Sequence, residues 1–211
     1  MKVELIQQTP NPIETIAKIA SICYDSDPKN PLGLVKHLYR NGHHSVFEHI
    51  YFTFRIDDIS RACSHQLVRH RMCSFTQRSQ RYCSEDRASF IVPASVEELA
   101  GRETKWHQDT VDRLSDAYCF YSDLCAEGVP KEDARYFLPN ACCTSLYLSC
   151  NLRELIHIAN ERLCNRAQWE IRNVVEEMVQ AVDPALRFML VPKCESGYLI
   201  CNSPCKKDKE A

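Results

Sequence analysis

Residues 69–82 read RHRMCSFTQRSQRY and hold Arg69, Arg71, Arg78 and Arg81, with His70 among them and no Lys. A guanidinium keeps its proton and presents a planar fork of donors. That fork suits bidentate contact with a phosphate or a nucleobase carbonyl, and an ammonium group lacks the geometry. The whole chain carries a formal charge of -2. The cluster is therefore a local concentration, unlike the broad basic field that sequence-independent nucleic-acid binding needs, and the expected ligand is a small anion. Ser79 lies inside the cluster without a base in sequence positioned to activate it, so it reads as a phosphate contact rather than a nucleophile.

Other polar groups sit where apolar residues dominate. Wound at about 100° per residue, residues 152–163 gather Leu152, Leu155, Ile156, Ile158, Ala159 and Leu163 on one arc. Arg153, Glu154, His157, Asn160 and Glu161 take the other arc, yet Arg162 falls inside the apolar one. A guanidinium there must meet an anion, a carbonyl or a partner subunit, or else pack its stem and send its head to solvent. Gln66 and His70 likewise share the arc of Ile59, Ala62, Cys63 and Leu67. Read alone, His70 is a hydrogen-bonded core residue; read with Arg69 and Arg71, it belongs to an anion site. Asn151 and Arg153 read by themselves as a helix cap and a solvated residue.

His43, Glu48 and His49 are metal-ligand types, but the sequence supplies no second half of a site, and a hydrogen-bonding loop is expected instead. Cys194, Cys201 and Cys205 lack the paired spacing of a zinc site, so no metal is expected. The 13 Cys are odd in number and form no C-x-x-C pair, and the opening MKVELIQQ has no apolar run of a signal peptide. Structural thiols in a reducing cytoplasm are the expectation. With Gly only at 33, 42, 101, 128 and 197, neither G-x-G-x-x-G nor a P-loop can be written, so side chains must hold any nucleotide. The longest uncharged run, 136–152, is broken by Pro139, Asn140, Thr144 and Asn151, and no membrane span is expected.

These residues need a scaffold. At 211 residues and 45% hydrophobic, the chain suits one domain over 1–193, followed by a Cys/Lys-rich tail over 194–211 that is partly disordered. The patterns predict a strand at 2–8, then a helix opened by Asn11-Pro12-Ile13-Glu14 as cap and capping box and running to Tyr24. A second helix runs from Pro31 to Asn41-Gly42. Strict alternation over 49–57 predicts the clearest strand, and Ser60 caps a helix that reaches the Arg cluster. A long helical region from Ser95, with a break, ends at Gly128-Val129-Pro130. A strand at 141–149, a capping box at Asn151 to Glu154 opening a helix to Leu163, and a last helix from Ala167 to Asp183-Pro184 complete a helix-rich α+β class.

Arg69-His70-Arg71, seven residues, Ser79 and then Arg81-Tyr82 closely resemble the signature of the flavin-dependent thymidylate synthases. The resemblance extends to Asn41 through His49, Ala134 through Pro139, Asn151-Leu152-Arg153, and Arg162 followed by Ala167-Gln168-Trp169-Glu170, in order, across most of residues 38–175. It implies a small, mainly antiparallel sheet flanked by helices, with active sites at subunit interfaces of a homotetramer. It also implies reductive methylation of dUMP to dTMP, with methylenetetrahydrofolate as carbon donor, reduced FAD as hydride donor and NADPH as reductant. By resemblance, Gln66, Leu67, Val68, Arg69, Gln77, Arg78, Ser79, Gln80, Arg81, Arg135 and Arg162 would hold dUMP. Ser45, Arg69, His70, Arg71, Gln77, Asn151, Leu152, Arg153 and His157 would touch FAD, and His43 would lie near flavin and folate.

Arg162 gains a catalytic role in that reading. Uracil must become nucleophilic at C5, and a guanidinium against the pyrimidine would stabilise the charge that develops on the ring. Gln77, His157 and Arg166 depart from the family's commoner residues without removing an essential group. One rival class, a nucleic-acid-binding module stacking bases on Phe75 and Tyr82, is opposed by the net charge. Another, a thymidylate synthase with a Cys nucleophile, would have to use Cys205 of the single Pro-Cys pair, within the tail.

Overall fold

The computed structural model describes residues 1–85, 89–102 and 104–203. Its architecture is α+β and helix-rich, with a small four-stranded sheet in which β3 (Ser74–Gln77) and β4 (Cys143–Asn151) follow two strands described next, in the order β1-β2-β4-β3. β1 (Lys2–Gln8) pairs antiparallel with β2 (Tyr51–Ser60), Lys2 opposite Asp57 and Gln8 opposite Phe52, with one irregularity between Leu5 and Gln7. The alternation read from the sequence holds along β2: Phe52, Phe54 and Ile56 are buried while Tyr51 and Arg55 face out. It ends at Asp58, whose φ of 57° breaks the pleat and lets Ile59 and Ser60 both turn inward. His49 belongs to a 3-10 turn, Ser45–His49, so the strand starts two residues later than its pattern suggests.

The chain gathers into two compact units. Unit 1 comprises 1–57, 66–76 and 147–211; unit 2 comprises 58–65 and 77–146. In unit 1, α1 (Pro12–Ser21) packs against α2 (Pro31–Arg40), α8 (Trp169–Ala181) against β1, and α7 (Leu152–Arg162) against α8 and the 45–49 turn. Ile16, Phe47, Phe54, Leu152, Leu155, Ile158, Val174 and Met178 are among its fully covered side chains. In unit 2, α5 (Thr104–Ala126) packs against α4 (Ala94–Arg102) and α6 (Lys131–Ala134). There the burial falls on Tyr118, Tyr121, Cys142 and Leu146. The Tyr118 hydroxyl donates to the Ser89 carbonyl at 2.5 Å, which settles a polar group that burial would otherwise penalise.

Local signals explain most boundaries. Ser60 Oγ accepts from Cys63 N at 3.0 Å and starts α3 (Arg61–Leu67). Asn151 Oδ1 accepts from Glu154 N at 2.9 Å and starts α7. Gly42 and Gly128, at φ 75° and 88°, close α2 and α5 in a conformation that costs a side chain-bearing residue more. Asn11 departs from expectation: it sits left-handed at φ 45° and makes no side-chain cap, so Glu14 forms no capping box and Pro12 alone marks the helix start. The last helix starts two residues later than read, where Gln168 Oε1 accepts from Glu170 N and Ile171 N.

Candidate active site

The turn after α3 carries Arg69, His70 and Arg71, and α7 carries Arg153, Glu154, His157 and Arg162, all within unit 1. Helical winding does not continue to His70, yet its ring is only 5% exposed. Arg162 Nε donates to His70 Nε2 at 3.0 Å. Because a guanidinium has no lone pair to offer, that nitrogen must be unprotonated and the imidazole neutral. Burial, then Arg162 and His157, push the His70 pKa down to about 4, in agreement. On the ring's other side Nδ1 lies 3.7 Å from Glu154 Oε1. Burial raises the Glu154 pKa, with His157 opposing; because the His70 ring is neutral, this contact is not a charged ion pair. Arg162 is therefore held by a neutral imidazole rather than by a carboxylate.

His70, Glu154 and His157 also bring ligand-type atoms within 4.8 Å of one another. The N–H of Arg162 takes one imidazole nitrogen, and its fixed positive charge opposes a metal ion there. Beside this trio a cavity of about 480 Å³ is lined by Glu48, Met72, Asn151, Arg153, Glu154 and His157. Two of these residues, Arg153 and Glu48, form an ion pair. His43 and Ser45 are exposed in the turn preceding β2. His44, next to them, is packed: its ring lies 4.6 Å from Tyr198 and 5.6 Å from Tyr39. The segment after residue 193 thus reaches the His43–Ser45 loop, while Pro204 and Cys205 lie outside the described residues.

The rest of the Arg cluster lies in unit 2, where β3 (Ser74–Gln77) ends. Each guanidinium there already faces an acceptor of its own chain. Arg78 pairs with Glu85 and donates to the Ser84 carbonyl, and Arg81 Nε meets Glu132 Oε2 at 2.7 Å. Arg135 Nε donates to the Glu132 carbonyl at 3.0 Å. Gln77 Nε2 is spent on Ser64 Oγ and Thr144 Oγ1, Gln80 is buried against Cys142, and Ser79 Oγ accepts from Arg81 N. A cavity of about 350 Å³ is lined by Arg61, His65, Gln80, Arg135, Tyr136, Leu138, Pro139 and Asn140, with no carboxylate among them. Burial lowers the Arg61 pKa, with Cys142 and Glu85 opposing and the nearby Arg135 adding to the shift. Leu67 and Leu152 have no exposed surface, so their side chains serve the core and only their backbone could meet a ligand.

Residues 4–186 match the family of thymidylate synthase complementing proteins, Thy1. The chain belongs to that family. A flavin-dependent thymidylate synthase of Geobacter sulfurreducens is 40% identical to this Thy1 chain, over 93% of it and 90% of the relative. One of Pyrococcus furiosus is 39% identical, over 94% and 88%. Among solved structures, the UMP/dUMP methylase PolB of Streptomyces cacaoi, bound with 5-Br dUMP, superposes with a TM-score of 0.77 at 25% identity. That match covers 89% of the Thy1 chain and 93% of the other.

Sequence reading passed over several residues that the Thy1 structure brings forward. Glu85 and Glu132 neutralise Arg78 and Arg81 from sites 7 and 51 residues away, separations at which no local spacing rule applies. Arg61 goes unmarked in the sequence, where Ser60 alone signals the start of a helix. The capping-box spacing accounts for Glu154 in the sequence, and no pattern there marks a second role. α7 buries Glu154 and Asn160 from the arc read as polar, because α8 and two short turns cover more of its circumference than one stripe.

Proposed function

We propose that this Thy1 chain is a flavin-dependent thymidylate synthase, methylating dUMP to dTMP with carbon from methylenetetrahydrofolate, with FAD as cofactor and NADPH as reductant. The reading includes a homotetramer acting in the cytoplasm; no helix among the described residues is long and apolar enough to cross a membrane. The observation that carries it is the match over nine-tenths of both chains to a relative of that name. The donor set fits the cofactor: Asn151, Arg153 and His157 line one cavity with hydrogen-bonding groups suited to a flavin's carbonyls and diphosphate, and no Gly-rich loop is needed. FAD held there and reduced by NADPH would supply the hydride.

The chain's own groups divide the remaining work. Arg135 and Arg61 line a cavity without carboxylates and suit the phosphate of dUMP. Arg81 would exchange Glu132 for phosphate at little cost, since both partners are about half exposed and water screens such a pair. Arg162, its Nε fixed on His70, would turn its terminal N–H groups to the pyrimidine and stabilise the negative charge that develops on the ring as C5 becomes nucleophilic. His70, neutral, orients that guanidinium without cancelling its charge.

Two measurements test the reading: an absorption spectrum of the purified protein with and without added FAD, and dTMP formation from dUMP, methylenetetrahydrofolate and NADPH. A flavin band and product formation are expected. Protein that stays colourless with added FAD, or that consumes no dUMP when flavin-loaded, would refute it.

A further inference from the structure

We infer that Glu154 is a positioning residue for Arg162, acting through the tautomer of His70. The inference rests on the proposed reaction for its kinetic consequence, but the tautomer itself does not depend on that reaction.

The geometry is a three-group chain. Arg162 can only donate, so the 3.0 Å contact fixes His70 Nε2 as acceptor and leaves the ring proton on Nδ1. Nδ1 faces Glu154 Oε1 at 3.7 Å, longer than a direct hydrogen bond and within reach of electrostatic attraction or one bridging water. The opposite tautomer would aim an N–H at the Arg162 N–H and a lone pair at the carboxyl oxygen, and would be disfavoured at both ends. His70 is 5% and Glu154 9% exposed, so little solvent screens these preferences.

Glu154 and Arg162 share α7 but stand eight residues apart, about 12 Å along the axis, too far to touch. His70, arriving from the turn after α3, spans that gap. One rigid helix thus carries both the functional guanidinium and the group that sets its holder's proton, and the turn carrying Arg69 and Arg71 is tied to the same helix. The arrangement parallels a histidine held in one tautomer by an acidic partner on its far nitrogen.

The test uses the flavin-loaded protein and its Glu154→Gln, Glu154→Asp and Glu154→Leu variants, with ¹⁵N-labelled histidine and His70→Gln for signal assignment. The wild type and Glu154→Gln, whose amide oxygen can still accept, should show the His70 proton on Nδ1; Glu154→Leu should show mixed tautomers. Turnover should fall about tenfold in Glu154→Leu, with KM for dUMP within about twofold, and Glu154→Gln should recover most of it. Glu154→Asp keeps the charge but withdraws the oxygen; it should lose turnover too, which keeps the test decisive if the Leu variant does not fold. An unchanged tautomer with unchanged turnover in Leu or Asp would overturn the inference, as would a Gln variant as slow as Leu. Tight zinc binding by the flavin-free protein from zinc chloride alone, shifting the His70 signals, would also overturn it in favour of a metal site. A wild type that makes no dTMP counts against the proposed reaction, and the tautomer spectra then decide the inference alone.

Discussion

At the residue scale, Arg162 shows how a cation is kept charged and aimed in a covered setting. A carboxylate partner would hold it more strongly but would neutralise the charge that the proposed role toward the pyrimidine requires; the neutral His70 ring holds it without doing so. Arg162→Ala should therefore lose about a hundredfold or more in single-turnover methylation, by analogy with removing one oxyanion donor. Arg162→Lys should recover little, because an ammonium cannot hold His70 and present a fork together. Near-normal turnover in the Lys variant would remove Arg162 from the chemistry. His70 also makes a pH statement. Its pKa is lowered from 6.5 to about 4, so below 6.5 the unfolded chain binds the proton first. Its contribution to stability is full above that value, shrinks as pH falls toward 4, and totals at most about 3 kcal/mol. Glu154, raised by burial, acts with the opposite sign, losing stability as pH rises through the interval above its unfolded value. The difference between wild type and His70→Gln in melting temperature, followed from pH 7 to pH 4, isolates the histidine. It should shrink as the pH falls, and a constant difference would count against the neutral buried ring.

At the scale of elements, α7 begins with a side chain that has two assignments. Asn151 caps the helix through Glu154 N, and by resemblance it also touches flavin. Asn151→Ala should cost about 1 kcal/mol of stability and weaken flavin binding. Asn151→Asp retains the capping oxygen but loses the amide donor and adds charge, so melting temperature should survive while FAD affinity falls. If both properties follow the cap, the flavin assignment is wrong. Much of this element level was legible: Ser60, Asn151, Gly42 and Gly128 mark their boundaries through contacts within four residues. β3 was not, because Ser74–Gln77 is four residues long and its alternation is too short to separate from a loop. The short α6 helix, Lys131–Ala134, escaped for the same reason.

At the scale of the whole molecule, the two units carry different sets of donor groups. Unit 1 holds the His70, Arg153 and Arg162 group; unit 2 holds Arg61, Arg78, Arg81 and Arg135. Saturating FAD at about a hundred times its dissociation constant should stabilise the protein by about 2.7 kcal/mol, read as a rise in melting temperature, and dUMP should add a separate increment. Absence of any shift with FAD would contradict a specific flavin site. Light scattering on the FAD-loaded protein should give four times the 24.4 kDa chain mass; a monomer active at the same concentration would exclude shared sites.

The sequence by itself determined the class of elements, the caps at Ser60 and Asn151, and the roster of donors. Alternation, capping side chains and guanidinium clustering are properties of neighbouring residues, and neighbours are what a sequence lists. It also carried the family, through blocks spread over most of 38–175 that the match over 4–186 encloses. Only the tertiary structure decided what each donor faces. His70 and Arg162 are 92 residues apart in sequence, Glu48 and Arg153 are 105 apart, and Gln77 and Thr144 are 67 apart. Such pairs depend on how strands and helices return to one another. A buried imidazole therefore looked like an anion binder until folding showed it neutral, with a guanidinium on one nitrogen and a carboxyl group beyond the other.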